Sequence, residues 1–83
     1  MYYVYVIQNE FGELYIGRSS NLRARLAAHN AGMNTSTKGH KWDLVYYEAY
    51  KASADAIRRE CSLKTHGQSK RWLKERIKSS CST

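Results

Sequence analysis

The sequence predicts an α/β fold of the α+β type: a small three-stranded antiparallel sheet flanked by helices, in the order β-β-α-β-α-α. Three observations predict it. Two short runs rich in Tyr, Val and Ile stand close together at the start, a capped amphipathic stretch follows them, and a third apolar run precedes two more helical patterns. The chain has 83 residues, no proline and no internal repeat, so nothing marks a linker. A chain of this length buries about 60–65% of its unfolded surface, which leaves room for one core. A single domain is expected over 1–78, with a frayed tail over 79–83.

Residues 2–8 and 13–17 read as a β-hairpin around Asn9, Glu10, Phe11 and Gly12. Asn21 or Ser20 can cap a helix over 22–31, in which Leu22 and Leu26 supply an apolar stripe and Gly32 a stop. Residues 33–41 are polar and carry a glycine, so they are expected to form an exposed connection. Trp42 to Tyr50 reads as the third strand, with Leu44, Val45, Tyr46 and Tyr47 as its apolar middle. Ser53 can cap a helix over 54–65 that lines up Ile57, Cys61 and Lys64 on one side, with Glu60 and Leu63 beside them. Gly67 breaks that helix and Ser69 can cap another, whose apolar side holds Trp72, Leu73 and Ile77 next to Arg76.

Composition narrows the function. Fourteen Lys and Arg against seven Asp and Glu give a net charge of +7, which favours a polyanionic partner such as nucleic acid. Cys61 and Cys81 form neither a Cys-x-x-Cys pair nor a zinc-finger spacing, so a disulfide framework and structural zinc are not indicated. The N-terminus lacks the basic segment and long apolar stretch of a signal peptide, and no window approaches the length of a membrane span. A cytoplasmic protein with reduced thiols and no membrane partner is expected.

Five residues at characteristic spacings are candidates for chemistry. With a loop over 9–11 the hairpin register sets Tyr5 directly opposite Tyr15, so both phenols emerge on one face at a Cβ separation of about 5 Å. Tyrosine is common in strands, so the pair alone carries little weight. Arg25 and His29 lie four apart on the first helix and point to one side. An arginine fork suits phosphate, although a solvated helix face has the same spacing. Glu60, beside Ile57, Cys61 and Leu63, is a partly desolvated carboxylate that needs a partner or a metal; Arg58 and Arg59 offer an ordinary ion pair instead. One carboxylate suits Mg²⁺, which keeps several waters and takes other ligands from substrate phosphate, whereas zinc would require more protein ligands.

Taken together, these residues resemble the GIY-YIG nuclease domain, in the small single-domain form related to the N-terminal part of the bacterial excinuclease C protein. Tyr3-Val4-Tyr5 stands at the first triplet, and Tyr15-Ile16-Gly17 matches the second letter for letter. The stretches 21–30 and 36–48 resemble the arginine helix and the third-strand entry, and 56–60 with Leu63-Lys64 resembles the glutamate helix. The first triplet lacks its Gly and Ile, and no Asn follows Asn34, where several members use one late in the domain. Lys64 or a residue of 35–41 is the available substitute.

The resemblance implies a divalent-metal-dependent endonuclease that hydrolyses phosphodiester bonds, in DNA more than RNA, with little sequence specificity and in a DNA-repair setting. It assigns Tyr5, Tyr15, Arg25, His29 and Glu60 to the site, with Glu60 holding Mg²⁺ or Mn²⁺. Tyr15, hydrogen-bonded to Tyr5, would position or deprotonate the attacking water, Arg25 would stabilise phosphoryl charge, and His29 would contact the phosphate or the leaving side. Arg18, Arg23, Lys38, His40, Lys41 and Lys64 are expected to contact nucleic acid, and the chain to be a monomer or weak homodimer. The alternative is a binding module of the same fold that cleaves weakly or not at all, with Tyr5 and Tyr15 structural or stacked on bases.

Overall fold

The computed structural model describes residues 1–33 and 37–81. Its elements are β1 (Tyr2–Asn9), β2 (Leu14–Ser19), α1 (Leu22–Asn30), β3 (Trp42–Tyr50), α2 (Ser53–Thr65) and α3 (Gly67–Arg76). The sheet is antiparallel in the order β2-β1-β3, so β1 is central. It is the expected α+β architecture.

The central strand is buried on both faces because two layers cover it. Val4 and Val6 join Ile16 under Ala56 and Leu63 of α2 and Leu73 and Ile77 of the α3 region. Tyr5 and Ile7 point the other way and pack with Trp42, Tyr15 and the α1 residues Leu22 and Leu26. Alternation along one strand therefore feeds two small cores.

The hairpin register differs from the expected one. Asn9 closes the loop with its own side chain: Oδ1 accepts from the backbone N–H groups of Phe11 at 2.9 Å and Glu13 at 3.0 Å. Gly12 takes φ +83°, and its N–H donates to the Asn9 carbonyl. The loop is thus Glu10, Phe11 and Gly12, and the pairs are Tyr5 with Gly17 and Ile7 with Tyr15. The register moves by two residues, which preserves the face of every side chain while taking Tyr15 out from opposite Tyr5.

A bulge in β3 performs the complementary adjustment. Val6 pairs with Tyr46 but Ile7 pairs with Leu44, which leaves Val45 as the extra residue. Side-chain alternation inverts there. Tyr47 and Trp42, of opposite parity, consequently share the α1 face, while Val45 and Tyr46 both pack against the α2 side.

Helix ends follow local chemistry at α1 and tertiary packing elsewhere. Asn21 caps α1 through a 3.1 Å bond from Ala24 N–H, and Gly32 at φ +74° closes it with its own N–H on His29 and that of Met33 on Ala28. Ser53 and Ser69 do not cap: α2 and α3 follow Ala52 and His66, with no side-chain bond at either start. On α2 the buried side is Ala56 and Leu63, not Ile57 and Cys61, which are exposed. The small Ala56 lets the helix approach the sheet, and Glu60 falls on the same stripe, at i+4 from Ala56. Trp72 is likewise exposed while Leu73 and Ile77 are buried.

Among the described residues of the connection before β3, Met33, Lys38, Gly39 and Lys41 are exposed as expected, but the segment is anchored at Thr37 and His40. Thr37 is fully buried, and its carbonyl accepts from Trp42 Nε1 at 2.9 Å. Glu10 of the hairpin loop accepts from Lys41 N–H at 2.7 Å and pairs with His40. Residues 34–36 of that connection lie outside the described residues. So do the last two of the expected tail, whose Cys81 packs against the α2–α3 core.

Asn30 fixes where β3 begins. Its Oδ1 accepts from Trp42 N–H at 2.7 Å and its Nδ2 donates to the Trp42 carbonyl at 3.0 Å. Asn30→Ala leaves both backbone groups unpaired beside a buried indole and is expected to cost about 1–3 kcal/mol. Urea denaturation measures the loss, and Asn30→Asp, which keeps the acceptor, is expected to fall between the two.

Candidate active site

The site begins with a close approach across the hairpin. Tyr5 lies opposite Gly17, and a Cβ at Gly17 would stand 2.3 Å from the Tyr5 hydroxyl oxygen and 2.4 Å from Cζ. Only glycine admits the ring there. Tyr5 can therefore lie flat across β2 and send its hydroxyl toward α1, buried to 2% exposure.

At that hydroxyl α1 delivers both of its candidates. His29 Nε2 is 2.7 Å from the oxygen, and Arg25 Nε donates to it at 3.3 Å. His29 Nδ1 meets Thr37 Oγ1 at 2.7 Å, and the imidazole is 1% exposed. Burial pushes the His29 pKa down, and the Arg25 charge adds to the effect, so the ring is held neutral. Burial likewise raises the Tyr5 pKa, although Arg25 opposes it, and the phenol keeps its proton. Among the described residues, His29 Nε2 is the acceptor available to that proton, so Nε2 accepts from Tyr5 and Nδ1–H donates to Thr37.

Tyr15 stands on the same face, half-buried. Its ring meets His29 edge-on at 5.2 Å and Trp42 at 6.2 Å, and the Lys64 ammonium sits 5.6 Å from its centroid. The hydroxyl makes no hydrogen bond to another described residue. The expected bond between Tyr5 and Tyr15 is absent, since Tyr5 is committed to His29 and Arg25. Glu60, its side chain 19% exposed, pairs with Arg18 Nε at 3.2 Å and Lys64 Nζ at 3.3 Å rather than with Arg58 or Arg59. Arg25 is held above its ordinary range chiefly by its hydrogen bond to Tyr5, with Tyr15 and Glu60 contributing and burial opposing. All five candidates thus lie in one region, with Tyr5 and His29 buried and Tyr15, Arg25 and Glu60 nearer the surface.

The six expected nucleic-acid contacts divide. Arg18 and Lys64 flank Glu60, and His40 is paired with Glu10. Lys38 and Lys41 are exposed. Arg23 stands at the start of α1 near Tyr3 and Tyr47, whose rings meet edge-on at 5.8 Å.

Two supporting groups escaped the sequence. Thr37 fixes the far side of His29. Glu48 of β3 accepts from Arg59 Nε at 2.9 Å and Nη2 at 3.0 Å, and from the Tyr46 and Tyr50 hydroxyls. Burial alone would raise its pKa, yet Arg59 and the two phenols hold it below the carboxylate range, while Tyr50 is pushed up to about 12 by burial and by Glu48. The bidentate grip on Arg59 sets the rotation of α2, and hence the position of its neighbour Glu60. Neither pairing has a short-range sequence signal.

Tyrosines from a hairpin, an arginine from the first helix and a glutamate from the second thus meet in one small α+β domain, and the family match gives that domain its class. The family model described as the GIY-YIG catalytic domain matches residues 1–77, and the chain belongs to the GIY-YIG family, a family of nucleases that generally use divalent metals. A UPF0213 protein of Staphylococcus haemolyticus is 38% identical over 71 residues, covering 77% of this chain and 80% of its own. A UPF0213 protein of Staphylococcus aureus strain N315 is 35% identical over 79 residues, covering 90% of this chain and 96% of its own. No solved structure gave a significant match.

Gly17→Ala is expected to displace the Tyr5 ring and destabilise the fold by about 1–3 kcal/mol, read by urea denaturation, since the obstructing atoms are a buried ring. His29 gives a pH signature. Its folded pKa lies below the ordinary value of about 6.5, so the unfolded chain takes up the proton first. The stability is present above about pH 6.5 and is lost as pH falls through the folded value. Denaturation midpoints should drop on acidification below that point, and His29→Gln should flatten the drop.

Proposed function

We propose that this chain is a divalent-metal-dependent endonuclease that hydrolyses phosphodiester bonds in nucleic acid, DNA in preference to RNA, with little sequence specificity. The convergence of Tyr15, Arg25 and Glu60 around the Tyr5–His29 bond is the observation that supports it. The substrate phosphate enters where Arg25 is exposed, and the guanidinium donates to the phosphoryl oxygens as charge builds on them. Tyr15 accepts a hydrogen bond from the attacking water and orients it toward phosphorus. His29 is too buried to touch substrate. It is a positioning residue that, with Tyr5, holds the Arg25 side chain in place.

The donor set fits magnesium or manganese and not zinc. Among the described residues no three His, Cys, Asp or Glu side chains gather, and Glu60 is the one carboxylate acting on both Tyr5 and Arg25. A hard cation that keeps its waters needs no more than one such group from the protein. Held by Glu60, it supplies charge neutralisation and an acidified water. Lys64 and Arg18 hold Glu60 until then, and Lys64 stands in for the late asparagine. The protein works in the cytoplasm as a monomer or weak homodimer; among the described residues no helix is long and apolar enough to cross a membrane.

A second reading is favoured by one observation: Glu60 is already satisfied by two cations. On that reading the domain binds nucleic acid without cutting it.

Cleavage separates the two. With Mg²⁺ or Mn²⁺, labelled single strands, duplexes, flaps and RNA are incubated with the native chain, Glu60→Ala and Tyr15→Phe. Each variant should lose about 100-fold or more in rate while still binding. Equal cleavage by all three would remove these residues from the chemistry, and binding without cleavage by the native chain would establish the second reading.

A further inference from the structure

We infer that the cavity between α3 and the hairpin is a second binding site for the phosphate backbone, separate from the reaction centre, with Lys70, Lys74 and Lys78 as its contacts. The inference rests on the nucleic-acid reading above. The cavity is open and measures about 410 Å³, with Gln8 and Glu13 of the hairpin on one side and the three lysines on the other.

The lysines face it because Leu73 and Ile77 are buried beneath them. That anchoring turns Lys70 and Lys74 of α3 outward along one stripe, about 6 Å apart, and Lys78 lies in the turn that follows the helix. The spacing is comparable to that of successive phosphates on one strand. Two like charges at i and i+4 weaken a helix unless an anion meets them. Lys70 and Lys74 have no ion-pair partner among the described residues, and Lys78 has only an exposed 3.0 Å contact with Glu75. The one carboxylate lining the cavity, Glu13, accepts from Asn9 Nδ2 at 2.9 Å. A solvated helix face would carry the same charges, but it would not enclose a concave space between them and the hairpin.

Position links the cavity to the reaction centre. Leu14, which also lines it, immediately precedes Tyr15 on the edge strand β2. Lys64 covers the Tyr15 ring and stands one short turn before α3. A strand leaving Tyr15 past Lys64 therefore meets Lys70 next. Ammonium groups grip phosphates without reading bases, so the site adds length-dependent affinity and no sequence preference.

The test is binding by fluorescence anisotropy in metal-free buffer over a range of salt, with oligonucleotides of about five and about twenty nucleotides. Lys70→Gln/Lys74→Gln is compared with Lys51→Gln/Arg58→Gln, which removes the same charge elsewhere. The first pair is expected to weaken the long oligomer about 5- to 30-fold near 0.1 M salt and to flatten the salt slope by about 1–2. The short oligomer and the control pair should be unchanged. An unchanged slope for the long oligomer, or an equal loss in the control, overturns the second site while leaving the proposed function standing. If the native chain binds neither oligomer, the reading beneath the inference fails, and the inference with it.

Discussion

The structure depends on one buried oxygen, the hydroxyl of Tyr5. It joins the central strand to α1 through His29, carries the connection to Thr37 through the same imidazole, and receives Arg25 from the next turn of the helix. A phenol and an imidazole this deeply buried are tolerable only when every polar atom is paired, and among the described residues no buried side-chain nitrogen or oxygen lacks a partner. The arrangement has a steric condition. Tyr5 reaches the helix only because Gly17 offers no Cβ, so the last letter of Tyr15-Ile16-Gly17 serves the tyrosine on the opposite strand.

A second layer supports the first from the other side of the sheet. Ala56 and Leu63 seat α2 against Val4, Val6 and Ile16, and the same helical stripe carries Glu60 toward the edge strand. Glu48 holds Arg59 beside it with two hydrogen bonds. Charge is thereby sorted by depth. Neutral His29 lies inside, Glu60 is half-buried between Arg18 and Lys64, and the remaining excess of the +7 charge covers α3 and the surface. Such an excess of positive charge suits a polyanionic partner, since attraction extends beyond individual contacts.

Most of the architecture was legible because its signals are local. Alternating apolar residues mark the strands and Asn21 and Gly32 bracket α1, while the break between α2 and α3 falls at His66, one residue before the expected Gly67. The misjudged details all turn on contacts distant in sequence or on side chains acting on backbone. Asn9 folds over its own loop and moves the register by two, and the Val45 bulge brings Trp42 to the Tyr5 face. Ile57 and Trp72 are apolar enough to read as core, yet Ala56 and Leu63, Leu73 and Ile77 win because they fit closer to the sheet.

By itself the sequence determined the family, the order of elements, and the candidate residues Tyr5, Tyr15, Arg25, His29 and Glu60, because motif letters and helical spacing are properties of short segments. Only the tertiary structure decided which partners those residues have and how deeply each is buried. It set Tyr5 against Gly17 rather than Tyr15, enclosed His29 between Tyr5 and Thr37, and gave Glu60 to Arg18 and Lys64. The reason is physical: burial and hydrogen-bond partners arise from segments that meet only when the sheet closes, and no spacing along the chain encodes which of two tyrosines will face a glycine.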